Sequence, residues 1–121
     1  MEPQSHILII DDNLEILDVV TLMLQRQGFK VSAQSRMADF ITEVGDISRD
    51  LIPIDKQLGW ADGCDLCALV KTNKGIQPVP VIMFSAYHKT EDECRSAGAD
   101  AFFAKPFDMF HLLETIRIVP K

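Results

Sequence analysis

Residues 7–13 are Ile-Leu-Ile-Ile-Asp-Asp-Asn, an apolar run that stops at two adjacent acids. Four consecutive aliphatic residues predict a short buried β-strand. After Asn13 the apolar residues recur at helical spacing, and Gly28 stands where a glycine ends many helices. The residues with this spacing are Leu17, Val20 and Leu24. This stretch therefore predicts a strand and a helix with an acidic pair between them.

The same alternation of apolar runs and amphipathic segments continues along the chain. Further strands are predicted at 29–33, 51–54, 79–84 and 101–104. Further helices are predicted at 37–44, at 63–71, after a Thr90/Glu93 capping box, and after Asp108. Five strands alternating with five helices predict an α/β domain in three layers, with a parallel sheet covered on both faces.

The composition fits one globular domain spanning residues 1–121, with 47% hydrophobic and 25% charged residues. The net charge of −6 argues against direct nucleic-acid binding, since no basic stripe could displace counterions. No apolar segment approaches the roughly 20 residues of a membrane span, and no signal peptide is evident. Three cysteines are too few for a disulfide scaffold, so we expect a reduced, cytoplasmic protein.

Polar residues directly follow four of the five predicted strands: Asp11, Asp12, Asp55, Ser85 and Lys105. The carboxyl ends of parallel strands meet at one edge, where ligands of open α/β sheets bind. Two carboxylates about 4 Å apart repel by roughly 4 kcal/mol, and an all-oxygen cluster favours Mg²⁺ as the neutralising ion. A hydroxyl and an ammonium beside that ion predict a phosphoryl site, with a carboxylate as the nucleophile.

The motifs at this edge resemble those of the receiver domain of two-component response regulators. Besides residues 7–13, the resemblance rests on Asp55 followed by Asp62-Gly63, on Pro-Val-Ile-Met-Phe-Ser-Ala at 80–86, and on Ala-Gly-Ala-Asp-Ala-Phe-Phe-Ala-Lys-Pro-Phe at 97–107. It covers about residues 5–117. The resemblance implies a doubly wound (βα)5 fold, flavodoxin-like, with strand order 2-1-3-4-5.

The resemblance also implies a role for each acid of the cluster. Asp55 is similar to the phosphoacceptor, which takes a phosphoryl group from a phosphohistidine. Asp12 is similar to the direct Mg²⁺ ligand, and Asp11 to the ligand that acts through a bound water. Asp55 itself and the backbone carbonyl of Gln57 would complete the protein ligands of the metal.

Further residues match positions that respond to phosphorylation. Ser85 resembles the switch hydroxyl, and Lys105, which precedes an expected cis-proline, resembles the ammonium that pairs with a phosphoryl oxygen. Phe102 matches the aromatic switch residue that turns inward when the hydroxyl is recruited. Gln57 and Tyr87 match positions that tune the lifetime of the phosphoaspartate.

By resemblance, the chain is a signalling module rather than an enzyme, and its only chemistry is its own phosphorylation and dephosphorylation. The expected phosphoryl donor is a sensor histidine kinase or a histidine phosphotransfer protein. The expected output surface comprises the last two helices and the fifth strand. This surface would contact an output domain or a target protein, or would form a homodimer on phosphorylation. No membrane contact is expected.

Three residues near Asp55 depart from the family pattern. Pro53 lacks a backbone N–H in the predicted central strand, so a kink is expected there. Lys56 replaces an apolar residue, and its charge is expected either to pair with the acidic cluster or to project into solvent. Gly59 replaces a proline and is expected to loosen the loop after Asp55.

Three alternative functions follow from the residues. Pro53 and Lys56 favour a receiver-like binding module that is not phosphorylated. Cys64 and Cys67 indicate a thiol redox protein, because a helix start lowers the pKa of a thiol, although the neighbouring acids oppose this effect. A Mg²⁺-dependent aspartyl-phosphate phosphatase would share the Asp nucleophile, but such enzymes place it after the first strand in an Asp-x-Asp pattern.

Overall fold

The computed structural model describes residues 5–35, 50–72, 79–106 and 108–118. Within these ranges five parallel strands form one sheet in the order β2-β1-β3-β4-β5, which confirms the expected three-layer α/β fold and its strand order. The strands are β1 (His6–Ile10), β2 (Lys30–Gln34), β3 (Ile52–Asp55), β4 (Val81–Ser85) and β5 (Ala101–Ala104). The helices are α1 (Leu14–Arg26), α2 (Gly63–Thr72), α3 (Glu91–Ser96) and α4 (Met109–Ile118). The helix predicted at 37–44 lies outside the described residues.

The sheet is buried on both faces because its strands send alternate side chains into two apolar clusters. In β1, Ile7 and Ile9 pack with residues of α1 and α4, whereas Leu8 and Ile10 pack with residues of α2 and α3. Complete burial of one such side chain stabilises the fold by about 1.5–3 kcal/mol. The apolar run of β1 therefore fixes the sheet as the middle layer. None of the helices in the described part of the chain has the length and apolar character to cross a membrane.

The ends of the helices confirm the predicted signals at Gly28 and Asp108 and contradict the predicted capping box at Thr90. The side chain of Asn13 accepts hydrogen bonds from the first turn of α1, and Asp108 does the same for α4 at 2.8 Å. Gly28 follows α1 with a φ of 96°, a conformation that favours glycine. The capping box predicted at Thr90 is wrong, because Thr90 Oγ1 donates to Ser85 Oγ at 2.9 Å instead of capping α3.

Pro53 lies within β3, which continues through it and pairs with β4 along its whole length. Toward β1, pairing is limited to Ile10 opposite Ile54 and an isolated bridge between Ile7 and Leu51. The interruption falls where Pro53 lacks the N–H that a ladder needs. β3 therefore stays paired with β4 through Pro53, and the proline interrupts only the ladder with β1.

A short antiparallel hairpin, which the sequence analysis missed, follows Asp55. In it Gln57–Leu58 pair with Ala61–Asp62, and α2 begins directly afterwards at Gly63. A Cβ atom on Gly63 would lie 2.1 Å from the backbone carbonyl oxygen of Asp55. Glycine at this position therefore allows α2 to begin directly against the end of β3.

We expect Gly63→Ala to destabilise the protein by about 1–3 kcal/mol, because the added methyl group must displace α2 from the backbone of β3. Alanine in a helix normally stabilises by about 0.5–1 kcal/mol relative to glycine. Urea denaturation measures the free energy of unfolding. Gly59→Ala is the matched control, since its Cβ would meet only a side-chain oxygen of Asp12, at 3.0 Å. Unchanged or higher stability of Gly63→Ala would contradict this explanation.

Candidate functional site

The carboxyl ends of the central strands carry the polar residues that the sequence analysis singled out. Asp55 is the last residue of β3, Ser85 the last of β4, and Asp11 directly follows β1. Lys105 directly follows β5 and is joined to Pro106 by a cis peptide bond, as expected. The parallel order of the strands therefore brings these side chains to one edge of the sheet.

Three carboxylates meet at this edge. Asp11, Asp12 and Asp55 each place an oxygen within 4.8 Å of the others. Asp11 is 0% exposed and Asp55 only 4%, whereas Asp12 is exposed. Carboxylate oxygens are the ligands that Mg²⁺ prefers, and the donor set offers no thiol or imidazole that would favour Zn²⁺. The cluster therefore fits a hard divalent cation.

Lys105 connects the two buried carboxylates. Its Nζ lies 2.9 Å from Asp11 Oδ2 and 3.4 Å from Asp55 Oδ2. The second oxygen of Asp11 accepts the backbone N–H of Asn13 at 2.9 Å, so both oxygens of Asp11 have partners within the protein. Lys105 therefore supplies positive charge to a site in which carboxylates outnumber it.

The environment of Asp55 raises the pKa of its carboxyl group from 3.8 to about 6. Burial is the largest cause, and the negative charge of Asp11 adds to it. The charge of Lys105 and the backbone N–H of Gln57 act in the opposite direction but do not compensate. Without a metal, ionised Asp55 is therefore an unfavourable group in the folded protein.

The Ser85 hydroxyl is held by a network of hydrogen bonds that the sequence did not reveal. The side-chain amide of Gln57 contacts Ser85 Oγ through Nε2 at 3.0 Å and through Oε1 at 3.2 Å. Ser85 Oγ also accepts hydrogen bonds from Thr90 Oγ1 and from the backbone N–H of Tyr87 at 3.0 Å. Gln57 Oε1 further accepts the backbone N–H of Ala86 at 3.3 Å. Gln57 and Thr90 thus hold Ser85 in place.

Of the two adjacent phenylalanines in β5, Phe102 is half-buried and packs against the cluster on the α2 and α3 side. Phe103 points to the other face, where its ring lies 6.2 Å from that of Phe84 and meets the ring of His111 edge-on at 5.0 Å. His111, which the sequence analysis gave no role, therefore contributes to packing. Phe102 is the residue of this pair on the face shared with α3.

Two of the departures near Asp55 behave differently from what we expected. Gly59 does not loosen the loop, because its backbone N–H donates to Asp12 Oδ2 at 2.8 Å, a bond that a proline could not make. The ammonium of Lys56 neither pairs with the acidic cluster nor projects into solvent. It binds Asp62 at 2.7 Å and Glu93 at 2.9 Å. In the sequence, only the unusual charge of Lys56 indicated that this position was special. Its partners could not be predicted, because Asp62 is brought to Lys56 by the hairpin.

The cysteines do not form the reactive pair of a thiol redox protein. Cys64 Sγ lies 3.7 Å from Sγ of Cys94, on the neighbouring helix α3, and all three cysteines are buried as free thiols. Burial raises the pKa of Cys67 to about 11, and burial together with Cys94 raises the pKa of Cys64 further. The thiols are therefore poor nucleophiles at neutral pH, which opposes the redox alternative.

We expect Asp55→Asn to stabilise the metal-free protein at pH 7–8 by about 1–3 kcal/mol, because one pKa unit is worth about 1.4 kcal/mol. The folded state binds the Asp55 proton more tightly than the unfolded state does. Stability of the wild type relative to the variant therefore falls as the pH rises from about 4 to about 6, and then levels off. Urea denaturation in EDTA at several pH values measures this difference.

Asp18→Asn is the matched control for this prediction, since Asp18 is exposed on α1. It should show no comparable dependence on pH. Adding Mg²⁺ should reduce the advantage of Asp55→Asn, because an ion that binds only the folded wild type stabilises it. An advantage that grows on acidification would refute the assignment of a raised pKa to Asp55.

Comparison with known proteins agrees with the resemblance to receiver domains. The model of the response regulator receiver domain family matches residues 7–117. The transcriptional regulatory protein GltR of Pseudomonas aeruginosa is 33% identical over 113 residues, which are 92% of this chain and 47% of GltR. Protein PilG of the same organism is 30% identical over 122 residues, 97% of this chain and 90% of PilG. The chain thus spans about half the length of some relatives and most of another.

Solved structures share the fold. The chemotaxis response regulator CheY4 of Vibrio cholerae aligns with a TM-score of 0.86 and 22% identity, over 94% of this chain and 97% of CheY4. The response regulator TrrA of Thermotoga maritima, solved in complex with Mg²⁺ and BeF, aligns with a TM-score of 0.83 and 20% identity, over 93% of this chain and 96% of TrrA. The fold, the acidic edge and the match across 7–117 together place this chain in the response regulator receiver domain family, a family of phosphoacceptor signalling modules.

Proposed function

We propose that Asp55 accepts a phosphoryl group from a phosphohistidine on a sensor histidine kinase or a histidine phosphotransfer protein. The observation that carries this proposal is the meeting of three carboxylates with Lys105 at one edge of the sheet. Among the acids, Asp55 lies at the end of the central strand, between Lys105 and Gln57. Asp55 is therefore the carboxylate best placed to receive a phosphoryl group, because hydrogen-bond donors lie on both sides of it.

Mg²⁺ is the cofactor that the donor set favours, and it would neutralise the excess negative charge during transfer. Asp12 is exposed and suits a direct ligand, whereas both oxygens of Asp11 already have protein partners and suit contact through water. Asp55 and the backbone carbonyl of Gln57 would complete the protein ligands. The backbone of Gln57 runs beside the cluster, with its N–H 3.4 Å from Asp55 Oδ1.

In the transfer step, a carboxylate oxygen of Asp55 forms a bond to phosphorus while the bond from phosphorus to the imidazole nitrogen breaks. The electron pair of that bond leaves with the imidazole of the donor. Lys105, already 3.4 Å from Asp55, would follow the phosphoryl oxygens and reduce its hold on Asp11. A phosphoryl group adds about −1.5 to −2 charges and three acceptor oxygens, so a charge-assisted bond from Lys105 is favourable.

Recruitment of Ser85 to a phosphoryl oxygen would complete the switch. Ser85 Oγ would have to exchange the hydrogen bond that it donates to Gln57 Oε1 for this new acceptor, and its movement would draw on the bond that it accepts from Thr90 Oγ1. Because Thr90 directly precedes α3, we propose that this exchange moves α3 and lets Phe102 turn inward. The half-buried position of Phe102, on the face shared with α3, supports this coupling.

The output surface would comprise α3, β5 and α4. Phe110 on α4 is 77% exposed and Tyr87 before α3 is 57% exposed, which supports a surface for a target protein, an output domain or a second copy after phosphorylation. The acidic net charge supports a protein partner over direct contact with nucleic acid. We also propose that residues 1–121 form a single receiver domain in the cytoplasm, where three free thiols are stable.

We expect beryllofluoride, a phosphoryl mimic, to change the fluorescence of Trp60 in the presence of Mg²⁺. Trp60 is half-buried in the hairpin, donates to the Ser35 carbonyl, and directly follows Gly59, which binds Asp12. Its indole therefore reports on the acidic cluster. Asp55→Asn should abolish the response to beryllofluoride, and Asp18→Asn should keep it. Intact mass after acetyl phosphate treatment should show one phosphoryl group in the wild type and in Asp18→Asn only.

A response to Mg²⁺ alone, with none to beryllofluoride and no phosphoryl adduct, would contradict phosphorylation at Asp55. That result would favour a receiver-like binding module instead. A phosphoryl adduct that persists in Asp55→Asn would overturn the choice of nucleophile, while leaving the family assignment intact.

Gln57 and Tyr87 should set the lifetime of the phosphoaspartate. Gln57 covers Ser85 at the site, so we expect Gln57→Ala to admit water and speed dephosphorylation, where a change in barrier of about 1 kcal/mol corresponds to about fivefold in rate. Tyr87→Ala, which opens the exposed side, should act in the same direction. Loss of the phosphoryl adduct over time is the measurement. Gln25→Ala, exposed on α1, is the control, and unchanged lifetimes in both variants would refute this role.

A further inference from the structure

Lys56 directly follows the phosphoacceptor and carries a buried ammonium with two acidic partners. Its side chain is only 11% exposed, with Nζ 2.7 Å from Asp62 Oδ2 and 2.9 Å from Glu93 Oε2. Its backbone is fixed as well, because its N–H donates to the Phe84 carbonyl and its carbonyl accepts the N–H of Gly63. Lys56 therefore has no freedom to move independently of the end of β3.

The two partners of Lys56 belong to different elements. Asp62 ends the hairpin, and its Oδ1 accepts the backbone N–H of Cys64 at 2.9 Å, at the start of α2. Glu93 lies on α3, one residue before Cys94, which contacts Cys64 across the interface of the two helices. One ammonium thus connects the residue after Asp55 with both helices on this face of the sheet.

The ionic pairs are strong enough to outweigh the cost of burial. Burial by itself lowers the pKa of the Lys56 ammonium, but its hydrogen bonds to Asp62 and Glu93 raise the pKa above the ordinary value. Burial likewise acts to raise the pKa of Asp62, and the bonds from Lys56 and Cys64 lower it overall. Lys56 and Asp62 are therefore charged at neutral pH.

Helix α3 is consequently held from two sides. Thr90, which directly precedes α3, binds the Ser85 hydroxyl, and Glu93 within α3 binds Lys56. Movement of Ser85 toward a phosphoryl group would act on α3 through Thr90. The ion pair of Glu93 with Lys56 would oppose this movement, because it keeps α3 attached to the hairpin.

We propose that Lys56 is a positioning residue that ties α3 to the phosphoacceptor loop through Glu93 and so favours the unphosphorylated arrangement. This inference rests on the proposed function, because it concerns the switch that phosphorylation of Asp55 would operate. The apparent affinity of a ligand that binds only the switched arrangement is proportional to the fraction of molecules already in that arrangement. Loss of the tie should therefore raise the apparent affinity for a phosphoryl mimic.

The test is a titration of each variant with beryllofluoride at saturating Mg²⁺, followed by Trp60 fluorescence. We expect Glu93→Gln to lower the apparent dissociation constant by about twofold to fivefold, the range that a partly exposed ion pair supports. Glu91→Gln is the matched control, because Glu91 lies in the same turn of α3 and its ion pair in the described part of the chain is with the exposed Arg95, at 2.8 Å. It removes the same charge from the helix and should leave the affinity unchanged.

A second variant distinguishes the tie from a structural contribution alone. Lys56→Met also breaks the bond to Glu93, so the combined variant Lys56→Met/Glu93→Gln should gain no more affinity than Lys56→Met. A purely structural role would lower stability without raising affinity. Equal affinities of Glu93→Gln and Glu91→Gln, in a protein whose wild type responds to beryllofluoride, would overturn the tie. Absence of any response in the wild type would instead overturn the proposed function.

Discussion

The balance of charge at the carboxyl edge of the sheet is the constraint on which the site depends. Parallel strands bring Asp11 and Asp55 to neighbouring strand ends, and both carboxylates are almost fully buried. Lys105 offsets part of their charge, yet Asp12 adds a third carboxylate to the cluster. Such an excess of buried charge is unfavourable unless a cation compensates it, which is why the pKa of Asp55 rises. The same excess of negative charge favours the binding of a divalent cation at this edge of the sheet.

The hydrogen bonds of Ser85 describe the arrangement from which the proposed switch would start. A serine hydroxyl donates only one hydrogen bond, and here Gln57 Oε1 accepts it, whereas Thr90 Oγ1 donates to Ser85 Oγ. A phosphoryl oxygen must compete with Gln57 Oε1 for that single donor. The cost of this exchange, together with the tie from Lys56 to Glu93, keeps α3 where it is until the phosphoryl group offers stronger, charge-assisted bonds.

The fold was predictable because each strand of the sheet coincides with a short apolar run in the sequence. The aliphatic run of β1 and the polar residues at the ends of β1, β3, β4 and β5 suffice to place the acidic edge, since parallel strands must end together. Contacts that depend on the hairpin after Asp55 were not predictable. Its two-residue strands are too short for a periodic signal, so the partners of Gln57, Gly59 and Lys56 could not be assigned. The prediction of a capping box at Thr90 was wrong because the Thr90 hydroxyl binds Ser85, a residue of the neighbouring strand end, and does not cap α3.

The departures from the family pattern bear on whether the site is intact. Pro53 removes a donor from one ladder, but β3 stays paired with β4 up to Asp55. Gly59 anchors the hairpin to Asp12 through an N–H that proline lacks, and Lys56 directs its charge away from the acidic cluster toward Asp62 and Glu93. Each departure therefore leaves the carboxylates of the cluster together. The features that favoured a binding module without phosphorylation instead anchor the loop that follows Asp55, the proposed phosphoacceptor.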